Sequence, residues 1–90
     1  MRLNRSSRFK RSYKKLPSHI QDDFDEKIET FTRNPFHPSL HTHKLSGNLA
    51  DYYAFYLRDG YRVLFDFIKD GVVILVNVGN HNDYQKWSRG

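Results

Sequence analysis

Apolar positions recur with helical spacing early in the chain and with strand spacing later. Phe9, Tyr13 and Leu16 fall at i, i+4 and i+7, one face of a helix. Ser6 or Ser7 supplies an N-cap, and Pro17 ends the segment. Ser18, three residues before Gln21, opens a second helix with a capping-box pattern, and Asp22 and Asp23 fall near its positive end. Ile20, Phe24, Ile28 and Phe31 line one stripe of that helix, and Asn34-Pro35 stops it. The spacing predicts a helical hairpin with one sticky face, preceded by a short edge strand over Met1–Asn4. Residues 35–50 read as loop, with two prolines, three of the five histidines and Ser46-Gly47-Asn48.

The period then changes. Tyr52–Leu57, Tyr61–Ile68 and Val72–Val78 are rich in β-branched and aromatic residues, and Asp59-Gly60 and Asp70-Gly71 separate them as two-residue hairpin turns. The prediction is a three-stranded antiparallel meander. Tight turns pair Lys69 with Val72, Phe67 with Ile74, Phe65 with Val76, Arg62 with Gly79, and Leu57 with Arg62. Alternation then puts Ala54, Tyr56, Val63, Phe65, Phe67, Val72, Ile74, Val76 and Val78 on an apolar face over the helices. Phe55, Leu57, Arg62, Leu64, Asp66, Leu75 and Asn77 take a mixed, partly open face. Arg62 and His81 meet at one corner of the sheet, with Arg58 on the adjoining turn and Tyr84, Lys86 and Trp87 close behind.

Ninety residues fit one domain, over residues 1–90. Zero cysteines remove disulfides and thiol chemistry, and fit a reducing, cytoplasmic setting. The longest apolar run, Val72–Val76, is far short of the ~20 residues of a membrane span, and no apolar segment follows the basic start as a signal peptide requires. The net charge of +5 is unevenly spread: residues 1–15 carry seven bases and no acid, whereas residues 16–34 carry five acids and two bases. Two readings stand: oppositely charged helix faces that attract each other, or a cationic patch for RNA phosphates.

Three short motifs fall in order: Lys44-Leu45-Ser46-Gly47, then Gly60-Tyr61-Arg62-Val63-Leu64-Phe65, then Gly79-Asn80-His81-Asn82-Asp83-Tyr84. With the helix–helix–meander order, the chain resembles the RelE/ParE superfamily of toxins from type II toxin–antitoxin modules. The resemblance implies an α+β fold, with an N-terminal helical hairpin packed on a three- to four-stranded antiparallel sheet. It also implies a cognate antitoxin in a hetero-oligomer and, in the RelE-like branch, mRNA cleavage at the ribosome. Arg62 matches a family arginine that contacts the reacting phosphate. His81 matches the C-terminal histidine of branches that use acid–base chemistry, and Tyr84 falls near an aromatic or hydroxyl position that supports catalysis or holds a base. Lys44 and Arg58 lie where other members place basic groups for RNA, and His43 and Lys86 join them as RNA-facing candidates. Gyrase-targeting ParE-like members share the fold without this set. An inert antitoxin-bound member and a plain RNA-binding protein are further alternatives.

The chemistry is self-consistent. RNA is cleaved without metal or cofactor when its 2′-OH attacks the adjacent phosphate. One group removes the 2′-OH proton and another protonates the leaving oxygen; an imidazole, ordinarily titrating near ~6.5, suits either task. Arginine stabilises the charge gained by the phosphate, and an aromatic, Tyr84 or Trp87, stacks a splayed base. The second proton carrier is Tyr84, Asp83 or a ribosomal group. Each residue also has a structural reading. His81 caps the last strand, Arg62 pairs with Asp66, and Tyr84 and Trp87 pack a C-terminal turn, with Trp87 favoured as core. His41-x-His43 in a proline-containing loop without nearby acids is a poor metal site. Asp22, Asp23 and Asp25 read as first-turn helix electrostatics. Tyr52–Tyr56, aromatic on both faces, marks either an antitoxin groove or a second core layer.

Overall fold

The computed structural model describes residues 1–89. Helix α1 spans Ser7–Lys14; Ser6 caps it, its hydroxyl accepting the Phe9 N–H at 3.0 Å and donating to the Val76 carbonyl at 2.8 Å. Helix α2 spans Ser18–Arg33 and follows Pro17 with no side-chain cap. The expected capping box does not close, because Gln21 Nε2 donates to the Tyr13 carbonyl at 2.8 Å and ties the two helices together. No acid lies in the first turn of α2, so Asp22, Asp23 and Asp25 sit too far along it to serve the helix dipole. Two of these carboxylates hold other elements instead. Asp25 accepts the Tyr13 hydroxyl at 2.7 Å. Asp23 accepts Lys27 Nζ at 2.9 Å and the Arg58 N–H at 2.8 Å.

The sheet is five-stranded and mixed, in the order β1-β5-β4-β3-β2. Its strands are β1 (Arg2–Arg5), β2 (His43–Lys44), β3 (Tyr53–Tyr56), β4 (Arg62–Lys69) and β5 (Val72–Gly79). The antiparallel meander forms, and a strand is added at each edge. β1 runs parallel to β5, and β2 emerges from the segment read as loop, pairing His43 with Ala54 and Lys44 with Tyr53. Helix α3 follows at His81–Ser88.

Register departs from the tight-turn expectation in two places. At the β3–β4 turn, Arg58–Gly60 forms a short 3-10 turn with Asp59 at φ 57° and Gly60 at φ 76°. This loop is one residue longer than a two-residue hairpin, so Tyr56, not Leu57, faces Arg62. A one-residue slip exchanges the two faces of a strand. Phe55 and Leu57 therefore enter the core under the helices, and Ala54 and Tyr56 turn to the face of Arg62. In the β4–β5 hairpin, Lys69–Val72 and Arg62–Gly79 pair as expected, but Phe65 pairs with Leu75 and Phe67 with Val73. Ile68 on β4 and Val76 on β5 are each an extra residue at a bulge. The two bulges offset one another, so both ends of the hairpin keep their register. Between them, Val73 and Leu75, rather than Ile74 and Val76, face the helices, fully buried.

The main core joins these strand residues to Phe9, Ile20, Phe24, Phe31 and Leu40, with Phe31 stacked on Phe55 at 4.8 Å and edge-on to Phe65 at 4.8 Å. A smaller cluster of Leu45, Leu49, Ala54 and Leu64 lies on the opposite face, covered by Tyr52, Val76, Tyr84 and Trp87. The mixed face is thus partly closed by a second core layer, and Trp87 packs there as expected.

Candidate functional site

Arg62 opens β4, directly across from Tyr56 on one side and Gly79 on the other. Immediately after Gly79 the chain turns into α3. Asn80 Oδ1 accepts the Asp83 N–H at 2.9 Å, and Asp83 Oδ2 accepts the Asn80 N–H at 3.0 Å, a reciprocal cap. A Cβ at position 79 would come within 2.6 Å of Asp83 Oδ2, so only glycine lets strand and helix meet this closely. The junction sets His81 at the first helical position beside Arg62.

Arg62 Nη2 lies 3.5 Å from His81 Nδ1, the outer limit of a hydrogen bond, and donates to the Gly60 carbonyl at 3.3 Å. A guanidinium has no acceptor, so in the neutral imidazole this approach leaves Nδ1 bare and the proton on Nε2. His81 Nε2 in turn faces the Gln85 side-chain amide at 3.1 Å, which must then present its oxygen. Two aromatic rings flank the guanidinium carbon: Tyr56 at 5.0 Å and Tyr84 at 4.7 Å. Arg62 Nε is buried between them with no hydrogen-bond partner. A cation this constrained keeps its donors in a fixed plane.

The structure brings Arg62, His81 and Tyr84 together. Tyr84 is committed to Arg62 and lies edge-on to Trp87 at 6.2 Å. His43 reaches the group through Tyr56, on which its ring stacks at 5.5 Å and 26°. Arg58 sits on the adjoining turn. Lys44, next to His43, points the other way, its ammonium 5.1 Å over Tyr53. Lys86, five residues beyond His81, is turned about 140° from it round α3. Arg62 has Gly60, His81 and two rings as neighbours, and forms no ion pair with Asp66. Sequence reasoning missed Tyr56 because its assumed register faced it to the core. It also missed α3 as a helix, although Asn80-x-x-Asp83 is a capping signal.

The turn behind the site is clamped to α2. Burial alone pushes the Asp23 carboxyl up, but hydrogen bonds from Lys27 and the Arg58 N–H outweigh it and hold it below the usual value. His19 Nε2 meets Asp59 Oδ2 at 3.0 Å on the exposed side of the same turn. Between the helices, burial and then the hydrogen bond to Asp25 push the Tyr13 phenol up to about 12. Among the described residues, no salt bridge links the bases of α1 to the acids of α2. Among them, too, no three His, Cys, Asp or Glu side chains gather as metal ligands, and no helix is long and apolar enough to cross a membrane.

Residues 3–84 match the family described as the ParE toxin of type II toxin–antitoxin systems, parDE. No curated protein matches. Among solved structures, the toxin–antitoxin complex RelBE of E. coli is 27% identical, with a TM-score of 0.69 over 88% of this chain and 94% of that one. The RelB–RelE complex of Methanococcus jannaschii is 18% identical, with a TM-score of 0.75 over 93% and 96% of the two chains. YafQ from E. coli strain BL21(DE3) is 12% identical, with a TM-score of 0.78 over 93% and 98%. The last two likenesses concern the fold alone. By its family match across residues 3–84 and its fold, this chain belongs to the ParE toxin family, within the RelE/ParE superfamily of type II toxin–antitoxin toxins.

Proposed function

We propose that this toxin is a metal-independent endoribonuclease that cleaves mRNA on the ribosome and is neutralised by a cognate antitoxin. The observation that carries this reading is the convergence of Arg62 and His81, 3.5 Å apart, at an exposed sheet corner. Attack of a 2′-OH on the adjacent phosphate adds negative charge to the phosphate oxygens. Arg62, flanked by two tyrosine rings, stabilises that charge with donors already in place. His81, as the imidazolium, gives a proton to the leaving 5′-oxygen and becomes the neutral imidazole. The 2′-OH proton passes to a second carrier, for which the tyrosine hydroxyls beside Arg62 and ribosomal groups are candidates. The RelB–RelE complexes among similar structures support an antitoxin partner. Seven bases in residues 1–15 support contact with RNA phosphates.

A second reading is favoured by the matching family itself, which is ParE rather than RelE. Under it, the chain inhibits DNA gyrase and cleaves nothing. Induced expression in a bacterial host, wild type beside His81→Ala, with primer extension on a translated reporter mRNA, separates the two. The nuclease reading expects growth arrest and new ends within the reading frame, both lost in His81→Ala. Arrest with an intact message, retained in His81→Ala, overturns it in favour of gyrase.

A further inference from the structure

Planar groups line up across the sheet at this corner. Tyr84 lies over Arg62, Arg62 over Tyr56, and His43 stacks on Tyr56. Strand order places Tyr56 on β3, between His43 on β2 and Arg62 on β4. Arg62 and Tyr56 are therefore enclosed within the series, and Tyr84 is closed off by Arg62 and Trp87. His43 is the exposed member of the series, and Tyr56, Arg62 and Tyr84 are half-buried.

That end is preorganised. β2 is hydrogen-bonded to β3, with His43 opposite Ala54. His43 Nδ1 lies 3.1 Å from the His41 carbonyl, which can only accept, so Nδ1 carries the proton and Nε2 is left as an acceptor at the ring edge. The ring is thus backed by Tyr56, tethered through Nδ1, and open on its outer face. Rigid exposed rings of this kind hold unpaired bases, because every base has a π-face to stack. His43 stands two strands across and two residues along from Arg62, roughly 12 Å at the usual strand spacing and rise. This distance suits a base neighbouring the phosphate rather than the phosphate's immediate contacts.

We infer that the outer face of His43, backed by Tyr56, is a stacking subsite for an unpaired nucleobase of the RNA whose phosphate sits at Arg62. The inference rests on the RNA-cleaving reading, and it moves base recognition away from Tyr84 and Trp87. His43 acts here as a binding surface, so a purely aromatic side chain should replace it.

The test uses short single-stranded RNA carrying 2-aminopurine at successive positions and a 2′-O-methyl group that blocks cleavage. Stacking quenches 2-aminopurine fluorescence. Wild-type protein should quench one position selectively. His43→Ala should abolish that quenching and weaken binding about tenfold, within the range for one stacked base. His43→Phe should keep both. His43 is exposed on an edge strand, so neither variant threatens folding. Unchanged quenching in His43→Ala, or loss in His43→Phe, overturns the subsite while leaving the RNA reading intact. Wild-type binding that Arg62→Ala does not weaken, or no wild-type quenching either with the free RNA or with the same RNA placed in the ribosomal A site, overturns the RNA reading and the subsite with it.

Discussion

The two faces of this sheet are made from alternate residues of the same strands, yet they are built on different principles. The helical face is dry. Phe9, Phe24, Phe31, Phe55 and Phe65 have no exposed surface; Phe55 and Phe65 pack offset and edge-on against Phe31, and Phe9 packs on Phe24 at 5.4 Å. Dense apolar packing of this kind holds the strands in place. The opposite face has only a small cluster beneath α3, and its outer end is organised by a cation and rings: Arg62 beside Tyr56 and Tyr84, and His43 on Tyr56. Such contacts orient side chains while leaving polar atoms near solvent. The first face carries the stability, and the second spends little on packing and keeps its donors available.

Disruption should therefore separate the faces. Phe31→Ala removes the centre of the dry face and should cost about 4 kcal/mol, read as the urea unfolding midpoint. Such a loss is a large share of the ~5–15 kcal/mol typical of a folded domain. On the other face, Arg62→Lys keeps the charge but not the plane clamped by Tyr56 and Tyr84. Reporter-mRNA cleavage should fall about a hundredfold while the unfolding midpoint barely moves. Equal losses of stability and cleavage in either variant would erase the distinction. The Asp23 clamp joins the faces and should give the smallest, mixed effect. Asp23→Asn should lose about 2 kcal/mol at neutral pH, with a partial loss of cleavage. Because the folded carboxyl lies below its ordinary 3.8, its contribution is full above that value and is lost as pH falls through the folded one. Wild-type stability should therefore drop on acidification below about pH 4 more steeply than that of the variant, as followed by circular dichroism.

Legibility followed the range of each determinant. The stripe Ile20-Phe24-Ile28-Phe31 and the three meander strands repeat locally, so their residues alone indicate them. The corner was readable because Arg62–Gly79 survives the β4–β5 bulges, which cancel. The face of β3 was not, because Asp59 takes a left-handed conformation and lengthens a turn whose Asp-Gly pair reads as a tight hairpin. The parallel pairing of β1 with β5 also left no local mark, since it joins residues 70 apart, as at Arg2 and Val72. Tyr56 entered the site only through the corrected register, and its role had no signal of its own.

The parallel edge also has a consequence for the order of assembly. β1 is made first, but its partner β5 is made after both helices and three other strands. The helical hairpin likewise holds an uncovered apolar stripe until β4 and β5 arrive. Pairings of such long sequence separation close late and slowly. The same strand, β5, completes the sheet edge, covers the helices and leads into His81. A partly synthesised chain thus has neither a closed core nor a corner, and the molecule gains both in one late step.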